Sequence, residues 1–191
     1  MTSTASHTPE RSPTPRPTEC VETRGTVEQI SIPSGTLRYP IDARLYLPPC
    51  YGATDERYPV LYLIHGLNFK EDQWERLGVA TAADELSAAG EIAPLIIVMP
   101  RDRPDDRLDR AFVNDLVPYI DSTYLTLPAR EFRAVGGLSR GGGWAIHIGL
   151  RYPALFGRLG AHSPAVFFGD EHDIVQRTWR LPKEQVPTVY V

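Results

Sequence analysis

The motif Gly-x-Ser-x-Gly at residues 137–141 places a serine where it could attack a substrate. The segment Glu131 to Val135 before it reads as a strand end, and the apolar pattern from Trp144 to Leu150 after it reads as a helix. A sharp strand-to-helix turn holds such a serine in a strained conformation and lifts its hydroxyl clear of the sheet. The motif therefore predicts nucleophilic attack by Ser139 on a carbonyl carbon. The alternative is a glycine-rich turn with an incidental serine.

The glycines around Ser139 support the first interpretation. Gly137 and Gly141 flank the serine at positions where so tight a turn has no room for side chains. Glycine in a helix costs roughly 1 kcal/mol relative to alanine, so the run from Gly141 to Gly143 is an unfavourable way to begin a helix. We expect another part of the backbone to pass close to this run.

A second group of polar residues follows a different apolar run. Val60 to Ile64 is continuously apolar, as in a strand buried on both faces, and His65-Gly66-Leu67-Asn68 comes directly after it. In enzymes with a nucleophile elbow, one oxyanion donor is the N–H of the residue after the nucleophile, here Arg140. The second donor comes from a loop after another strand, and Leu67 is our choice because Gly66 lets that loop turn back towards the serine.

The histidines offer several candidates for a catalytic base. His65 is one, although a His-Gly pair at a strand end more often supports the oxyanion loop. His147 falls on the helix after the motif and is expected to pack in the core, whereas His162 ends the next strand and could contact substrate. His172 is expected in a solvated, charged loop. Because no zinc-type spacing of His and Cys occurs, we predict neither a metal site nor a cofactor.

Composition favours one globular domain with a substantial core, since 42% of the 191 residues are hydrophobic and 23% are charged. The net charge is −4 with scattered basic residues, which argues against nucleic acid as a partner. No apolar run approaches the roughly 20 residues that a membrane span requires. Met1 is not followed by the basic and apolar stretches of a signal peptide.

The amino-terminal residues differ in composition from the rest. Residues 1–22 are rich in Pro, Ser and Thr and are predicted to be a disordered linker before a domain at 23–191. Cys20 and Cys50 each precede one of two strands that we expect to pair, which makes a disulfide plausible; the alternative is two unrelated thiols. A bridge closing a loop of about 30 residues would contribute roughly 3–4 kcal/mol and would indicate an oxidising, extracellular location.

The remaining pattern alternates strands and helices. The first two predicted strands alternate in polarity, as in an antiparallel hairpin, and the later ones are continuously apolar, as in a parallel sheet. This indicates an α/β fold with its ligand site at the carboxyl ends of the strands. Strands are predicted at 25–32, 41–47, 60–64, 95–99, 131–135, 158–161 and from 188 onward, and helices at 79–89 and 109–124, the latter kinked at Pro118.

Three stretches resemble the esterase-D-like α/β hydrolases. They are Tyr58 to Leu67, Ile97 to Pro100 and Gly136 to Gly142. That family includes feruloyl and acetyl-xylan esterases, enterochelin-esterase-like enzymes and mycolyltransferases of the antigen-85 group. The resemblance implies an α/β-hydrolase fold, a carboxylic ester or thioester as substrate, Ser139 as nucleophile, and Leu67 and Arg140 as oxyanion donors. It also suggests that Trp74 lies near the acyl pocket, although ordinary core packing explains this residue equally well.

The chain departs from that family in two respects. Relatives usually carry an uncharged side chain at the position of Arg140. In this fold the acid follows the strand that begins here at Thr188, and the histidine follows one more strand, so both are expected beyond Val191. We therefore expect a truncated α/β hydrolase that lacks the last strand and helix and has impaired activity.

Three functions remain open at this point. The first is a secreted serine esterase acting on a small-molecule or carbohydrate-linked ester. The second is an acyltransferase using the same site, and the third is a non-catalytic binding relic. Since a sheet that ends at its seventh strand exposes an unpaired edge, self-association through this edge is also expected.

Overall fold

The first two strands form an antiparallel hairpin along one edge of the sheet. The computed structural model describes residues 20–103, 107–167 and 169–191; the predicted linker lies largely outside these residues. The seven strands form a single sheet in the order β1-β2-β4-β3-β5-β6-β7. Their bounds are β1 Thr26–Ile32, β2 Ile41–Leu47, β3 Val60–Ile64, β4 Ile96–Pro100, β5 Arg133–Leu138, β6 Arg158–His162 and β7 Thr188–Tyr190.

Strand β3 is the fourth of the seven strands and lies at the centre of the sheet. Val60 is paired with Ile96 of β4 on one side and with Arg133 of β5 on the other, and both ladders are parallel. Strands β6 and β7 continue the parallel arrangement beyond β5, whereas β2 pairs antiparallel with β4. Because parallel strands end at the same edge, the loops after β3, β4 and β5 meet there. The predicted α/β fold class is confirmed.

Six helices connect or flank the strands in the described part of the chain. None of these helices combines the length and the apolar character that crossing a bilayer would require. Their bounds are α1 Gln73–Arg76, α2 Val79–Ala88, α3 Leu108–Ala111, α4 Val117–Thr123, α5 Arg140–Arg151 and α6 Asp170–Arg180.

The helix predicted at 109–124 is interrupted rather than only kinked. A π-helical turn at Phe112–Leu116 separates α3 from α4, and Pro118 lies in the first turn of α4. Proline has no N–H to bond the carbonyl four residues earlier, and its ring would collide with that carbonyl. A wider turn immediately before the proline relieves this conflict.

Helix α6 was wrongly predicted as a charged loop containing His172. It begins after Gly169, which has φ +85°, and has three acidic residues in its first turn and two arginines in its last turn. These charges complement the helix dipole and stabilise the helix without burial. None of its residues is buried, so its apolar side chains form no stripe packed into the core.

The main core lies between the sheet and the helices α3, α4 and α5. Three aromatic rings pack there at centroid distances of 5.1 to 6.1 Å, namely Tyr62, Phe112 and Phe156. Ala145 and Ile148 of α5 are fully buried in the same cluster as Val135 of β5. Helix α5 is therefore held firmly against the strand that precedes it.

The predicted disulfide between Cys20 and Cys50 is confirmed. Its Cα atoms are 5.7 Å apart, and it ties the residues before β1 to those after β2. The N–H of Cys50 also donates a 2.9 Å hydrogen bond to a carboxylate oxygen of Glu22. The disulfide thus links the start of β1 to the end of β2, at the open end of the hairpin opposite the Pro33-Ser34-Gly35 turn.

Candidate active site

Ser139 occupies a strained turn between β5 and α5. Its backbone has φ +54° and ψ −115°, a combination that non-glycine residues rarely adopt. The residue is exposed, and helix α5 begins at the next position. This is the strand–turn–helix geometry predicted for the motif.

Backbone hydrogen bonds hold the turn in this conformation. The N–H of Ser139 donates to the carbonyl oxygen of His162 at 2.9 Å. Its own carbonyl oxygen accepts from the N–H groups of Gly143, at 3.0 Å, and Ala165, at 2.9 Å. Since both polar backbone groups are satisfied, the surroundings offset the cost of the strained conformation.

Glycine is required on both sides of the serine because the backbone is crowded there. A Cβ atom at Gly137 would overlap the backbone of Gly141. A Cβ atom at Gly141 would overlap the carbonyl oxygen of Ile64 at the end of β3. The close backbone approach expected at the glycine run is therefore confirmed, and the backbone that lies close to it is the end of β3.

The loop after β3 is fixed by buried hydrogen bonds. The N–H of Gly66 donates to Oε1 of Gln73 at 2.7 Å, and the Gly66 carbonyl oxygen accepts from Phe69 N–H at 3.2 Å. Nδ1 of His65 lies 2.8 Å from that same carbonyl oxygen. Within residues 20–103, 107–167 and 169–191, the N–H of Leu67 donates to no protein group. The loop is thus rigid while one of its donors stays available.

His65 is engaged at both ring nitrogens, which argues against a role as the base. Its Nε2 accepts a 2.9 Å hydrogen bond from the backbone N–H of Asp102, and the whole residue is buried. An N–H group can only donate, so Nε2 carries no proton and Nδ1 donates to Gly66. No histidine ring of the described residues hydrogen-bonds the Ser139 hydroxyl.

The side chain of Arg140 turns towards the loop after β4. Its Nε donates to Oδ2 of Asp102 at 2.6 Å, and the Asp102 side chain is only 1% exposed. The guanidinium also borders two cavities. One, of about 220 Å³, lies against Leu67 and Arg103, and the other, of about 310 Å³, is bounded by Trp144 and Phe167.

Trp74 and His162, the two predicted substrate-contacting residues, line one groove that does not include Ser139. Both line a groove of about 380 Å³ on the face of the sheet opposite α5, and Ser139 is not among its lining residues. Nε1 of Trp74 donates to the Ile64 carbonyl oxygen at 3.2 Å. His162 contributes its carbonyl oxygen to the Ser139 turn, as described above.

His147 lies at the edge of the core rather than inside it. Its Nδ1 is 3.6 Å from a carboxylate oxygen of Asp170, and its ring packs edge-on against Trp144 at 5.7 Å. The described residues contain one cluster of metal-ligand type atoms, formed by Cys20, Glu22 and Cys50. Both sulfur atoms of that cluster are in the disulfide and are not thiolates that could bind a metal.

Comparison with known proteins identifies the family. The Esterase family model matches residues 34–187, which include both the loop after β3 and the serine turn. The chain belongs to the Esterase family.

Two curated relatives of this Esterase-family chain are similar to part of it. It is 34% identical over 164 residues to an endo-1,4-beta-xylanase/feruloyl esterase of Xylanibacter ruminicola. The aligned region is 77% of this chain and 23% of that relative. It is also 30% identical over 132 residues to an esterase of Mycobacterium tuberculosis, and that aligned region is 61% of this chain and 27% of the relative. The chain spans about a quarter of the length of these relatives.

Solved structures share the fold of the Esterase-family chain. A ferulic acid esterase of Anaeromyces mucronatus, solved with ferulic acid, has 26% identity and a TM-score of 0.67, and covers 78% of this chain and 61% of that one. A feruloyl esterase module from Clostridium thermocellum has 19% identity and a TM-score of 0.75, and covers 96% and 74%. The second likeness concerns the fold alone.

Two residues of the Esterase-family site were not predicted from the sequence. Gln73 supports the loop after β3 from the start of α1, and Asp102 connects the loop after β4 to Arg140. A signal for Asp102 was present, because it follows an apolar strand at the same sheet edge as His65 and Ser139. Gln73 offered no comparable signal.

Proposed function

We propose that this chain carries the nucleophile and the oxyanion hole of a serine carboxylic-ester hydrolase. The observations that support this best are the strained, exposed conformation of Ser139 and two backbone N–H groups, those of Leu67 and Arg140, that donate to no described residue. Strain of this kind persists only where the surroundings enforce it, and it concentrates at functional sites.

The reaction proceeds in two steps. The Oγ of Ser139 bonds to the ester carbonyl carbon as its proton passes to a base, and the carbonyl oxygen becomes an oxyanion that the Leu67 and Arg140 N–H groups stabilise. The bond between the carbonyl carbon and the alkoxy oxygen then breaks, and the protonated alcohol leaves an acyl-enzyme. Water adds to this ester, and the carboxylic acid and the serine hydroxyl are released.

Aromatic acids of the ferulate type are the acyl groups that we propose. Support comes from the xylanase/feruloyl esterase relative at 34% identity and from the Anaeromyces mucronatus structure that holds ferulic acid. A carbohydrate-linked ester outside the cell agrees with the disulfide, because disulfides persist in oxidising environments.

Labelling with a fluorophosphonate tests the nucleophile directly. Intact mass measured on the chain and on the Ser139→Ala variant should show one adduct in the first and none in the second. An adduct of equal yield on both proteins would contradict the proposal. Release of ferulate from methyl ferulate, compared with release of acetate from a methyl acetate control, then tests the acyl group.

Self-association through β7 is a further proposal about this chain. Among the strands of the described residues, β7 pairs with β6 alone, and its three residues are exposed. Unpaired strand edges of this kind readily pair with another chain. Sedimentation velocity at several concentrations should show a dimer that a Val189→Pro variant loses, and a monomer at every concentration would contradict the idea.

A further inference from the structure

The peptide group between Gly66 and Leu67 carries one of the two proposed oxyanion donors. In a trans peptide the C=O and the N–H point in opposite directions. Nδ1–H of His65 and the N–H of Phe69 both bond the Gly66 oxygen, at 2.8 and 3.2 Å, which fixes the plane of this peptide. The His65 ring thereby determines where the Leu67 N–H points.

The same ring is connected to the second donor through Asp102. Asp102 donates its backbone N–H to Nε2 of His65 at 2.9 Å. Its carboxylate accepts from Nε of Arg140 at 2.6 Å and faces an Arg140 Nη atom at 3.5 Å. A carboxylate that is 1% exposed depends strongly on such a partner, because a buried charge without one is costly. Arg140 is therefore held at its first helical position by a contact outside its own helix.

We propose that His65 and Asp102 are positioning residues that couple the two oxyanion donors. The chain of contacts runs from the Leu67 peptide through the His65 ring and Asp102 to Arg140. It joins the loops after β3 and β4 to the start of α5. Loss of the Asp102–Arg140 pair changes the position of the Arg140 N–H and, through His65, that of the Leu67 N–H. The catalytic consequence rests on the proposed function, whereas the coupling itself does not.

A second ion pair on α5 supplies a matched control. Nη1 of Arg151 lies 2.7 Å from Oδ2 of Asp109 in an ion pair without hydrogen-bond geometry, and the side-chain exposures are 34% and 4%. The Arg140–Asp102 pair is hydrogen-bonded, with exposures of 26% and 1%. Both arginines belong to α5 and line the cavity of about 310 Å³, but Arg140 is the first residue of that helix, directly after Ser139, and Arg151 is the last. Asp102→Asn and Asp109→Asn therefore remove the same charge from similar surroundings, and only the first acts on the proposed network.

The rate of fluorophosphonate labelling separates positioning from general stabilisation. We expect Asp102→Asn to lower the second-order labelling rate about tenfold, since small misplacements of oxyanion donors are costly, and Asp109→Asn to change it less than about twofold. The two variants should lose similar amounts of thermal stability. Equal labelling rates in the two variants would overturn the proposal. If Asp102→Asn does not fold, Arg140→Lys, which keeps the charge and loses the Nε contact, is compared with Arg151→Lys instead.

A second readout is independent of labelling. In ¹⁵N NMR spectra of the full chain, His65 should show a protonated Nδ1 and an unprotonated Nε2. Arg140→Lys should shift both the Leu67 amide and the His65 ring resonances, and Arg151→Lys should shift neither. A chain that is not labelled but shows these shifts would refute the proposed function and retain the coupling. Unchanged Leu67 and His65 resonances in Arg140→Lys would overturn the coupling itself.

Discussion

Gly141 lies so close to the end of β3 that a single added methyl group would overlap the carbonyl oxygen of Ile64. This contact joins the first turn of the helix after Ser139 to the central strand of the sheet. It also brings the serine turn next to the loop that starts at His65.

We expect Gly141→Ala to separate these two elements. The added Cβ meets backbone rather than a movable side chain, so the strand or the helix must shift. Overpacking of this kind costs about 1–3 kcal/mol. Chemical denaturation should show that loss, together with loss of fluorophosphonate labelling. Gly160→Ala is the control, since the nearest atom to a Cβ there is 3.8 Å away; equal stability of the two variants would contradict the argument.

The strain at Ser139 predicts a stabilising substitution. Glycine adopts φ +54° without the penalty that a Cβ imposes. The free energy of unfolding should therefore be larger for Ser139→Gly than for Ser139→Ala. The difference should be about 1 kcal/mol, which is the relief of strain less the greater chain entropy of glycine. Urea titrations of the two variants measure it. Identical midpoints would show that the conformation costs little.

The carboxylate of Asp115 should make the chain sensitive to acid. Partial burial alone would raise its pKa, but hydrogen bonds from Ser34 Oγ and from the N–H groups of Thr36 and Gly35 outweigh this and hold the pKa below its ordinary value of 3.8. A lowered pKa in the folded state means stability that is present above about pH 4 and is lost as the pH falls through the folded value. These contacts join the hairpin turn to the π-helical turn.

We therefore expect Asp115→Asn to be less stable by about 1 kcal/mol at pH 7, with a smaller difference from the unsubstituted chain at pH 3. Thermal unfolding at the two pH values gives the comparison. An unchanged difference between pH 7 and pH 3 would count against a role for the ionised carboxylate.

Reduction of the Cys20–Cys50 disulfide should lower the stability of the hairpin edge. Closing a loop with a sequence separation of 30 contributes roughly 3–4 kcal/mol in the chain-entropy model. For a chain of this length such a loss corresponds to a fall of about 6–16 °C in Tm. Calorimetry with and without dithiothreitol measures the fall, and the Cys20→Ser/Cys50→Ser double variant should be insensitive to the reductant.

Much of this architecture was predictable because the buried strands are continuous apolar runs in the sequence. The apolar run at Val60 to Ile64 predicted a buried strand of a parallel sheet, and the serine motif predicted the turn after β5. The predicted strands agree with the observed ones to within two residues at nearly all ends. Helix α6 escaped prediction because it is stabilised by charge at its ends rather than by a buried stripe. The interruption before Pro118 was located but its π-helical form was not.

The network behind the site was less predictable for a different reason. The Asp102–Arg140 contact joins residues that are far apart in sequence, and no local pattern encodes such a pair. The role of His65 as a loop support was expected, yet its link to Asp102 depends on which strands are neighbours. The roles of Ser139, Leu67 and Arg140 in catalysis remain predictions.

The position of β3 between β4 and β5 has a consequence for how the chain acquires its shape. Strand β3 is the first strand of the parallel set to be synthesised, and its two neighbours β4 and β5 follow later in the chain. The Ser139 turn is closed by the carbonyl of His162, which lies on a strand that is synthesised later still. Contacts between distant residues form slowly because loop closure precedes any gain from pairing. During synthesis, then, the turn that holds Ser139 in its strained conformation closes only after β6 has left the ribosome.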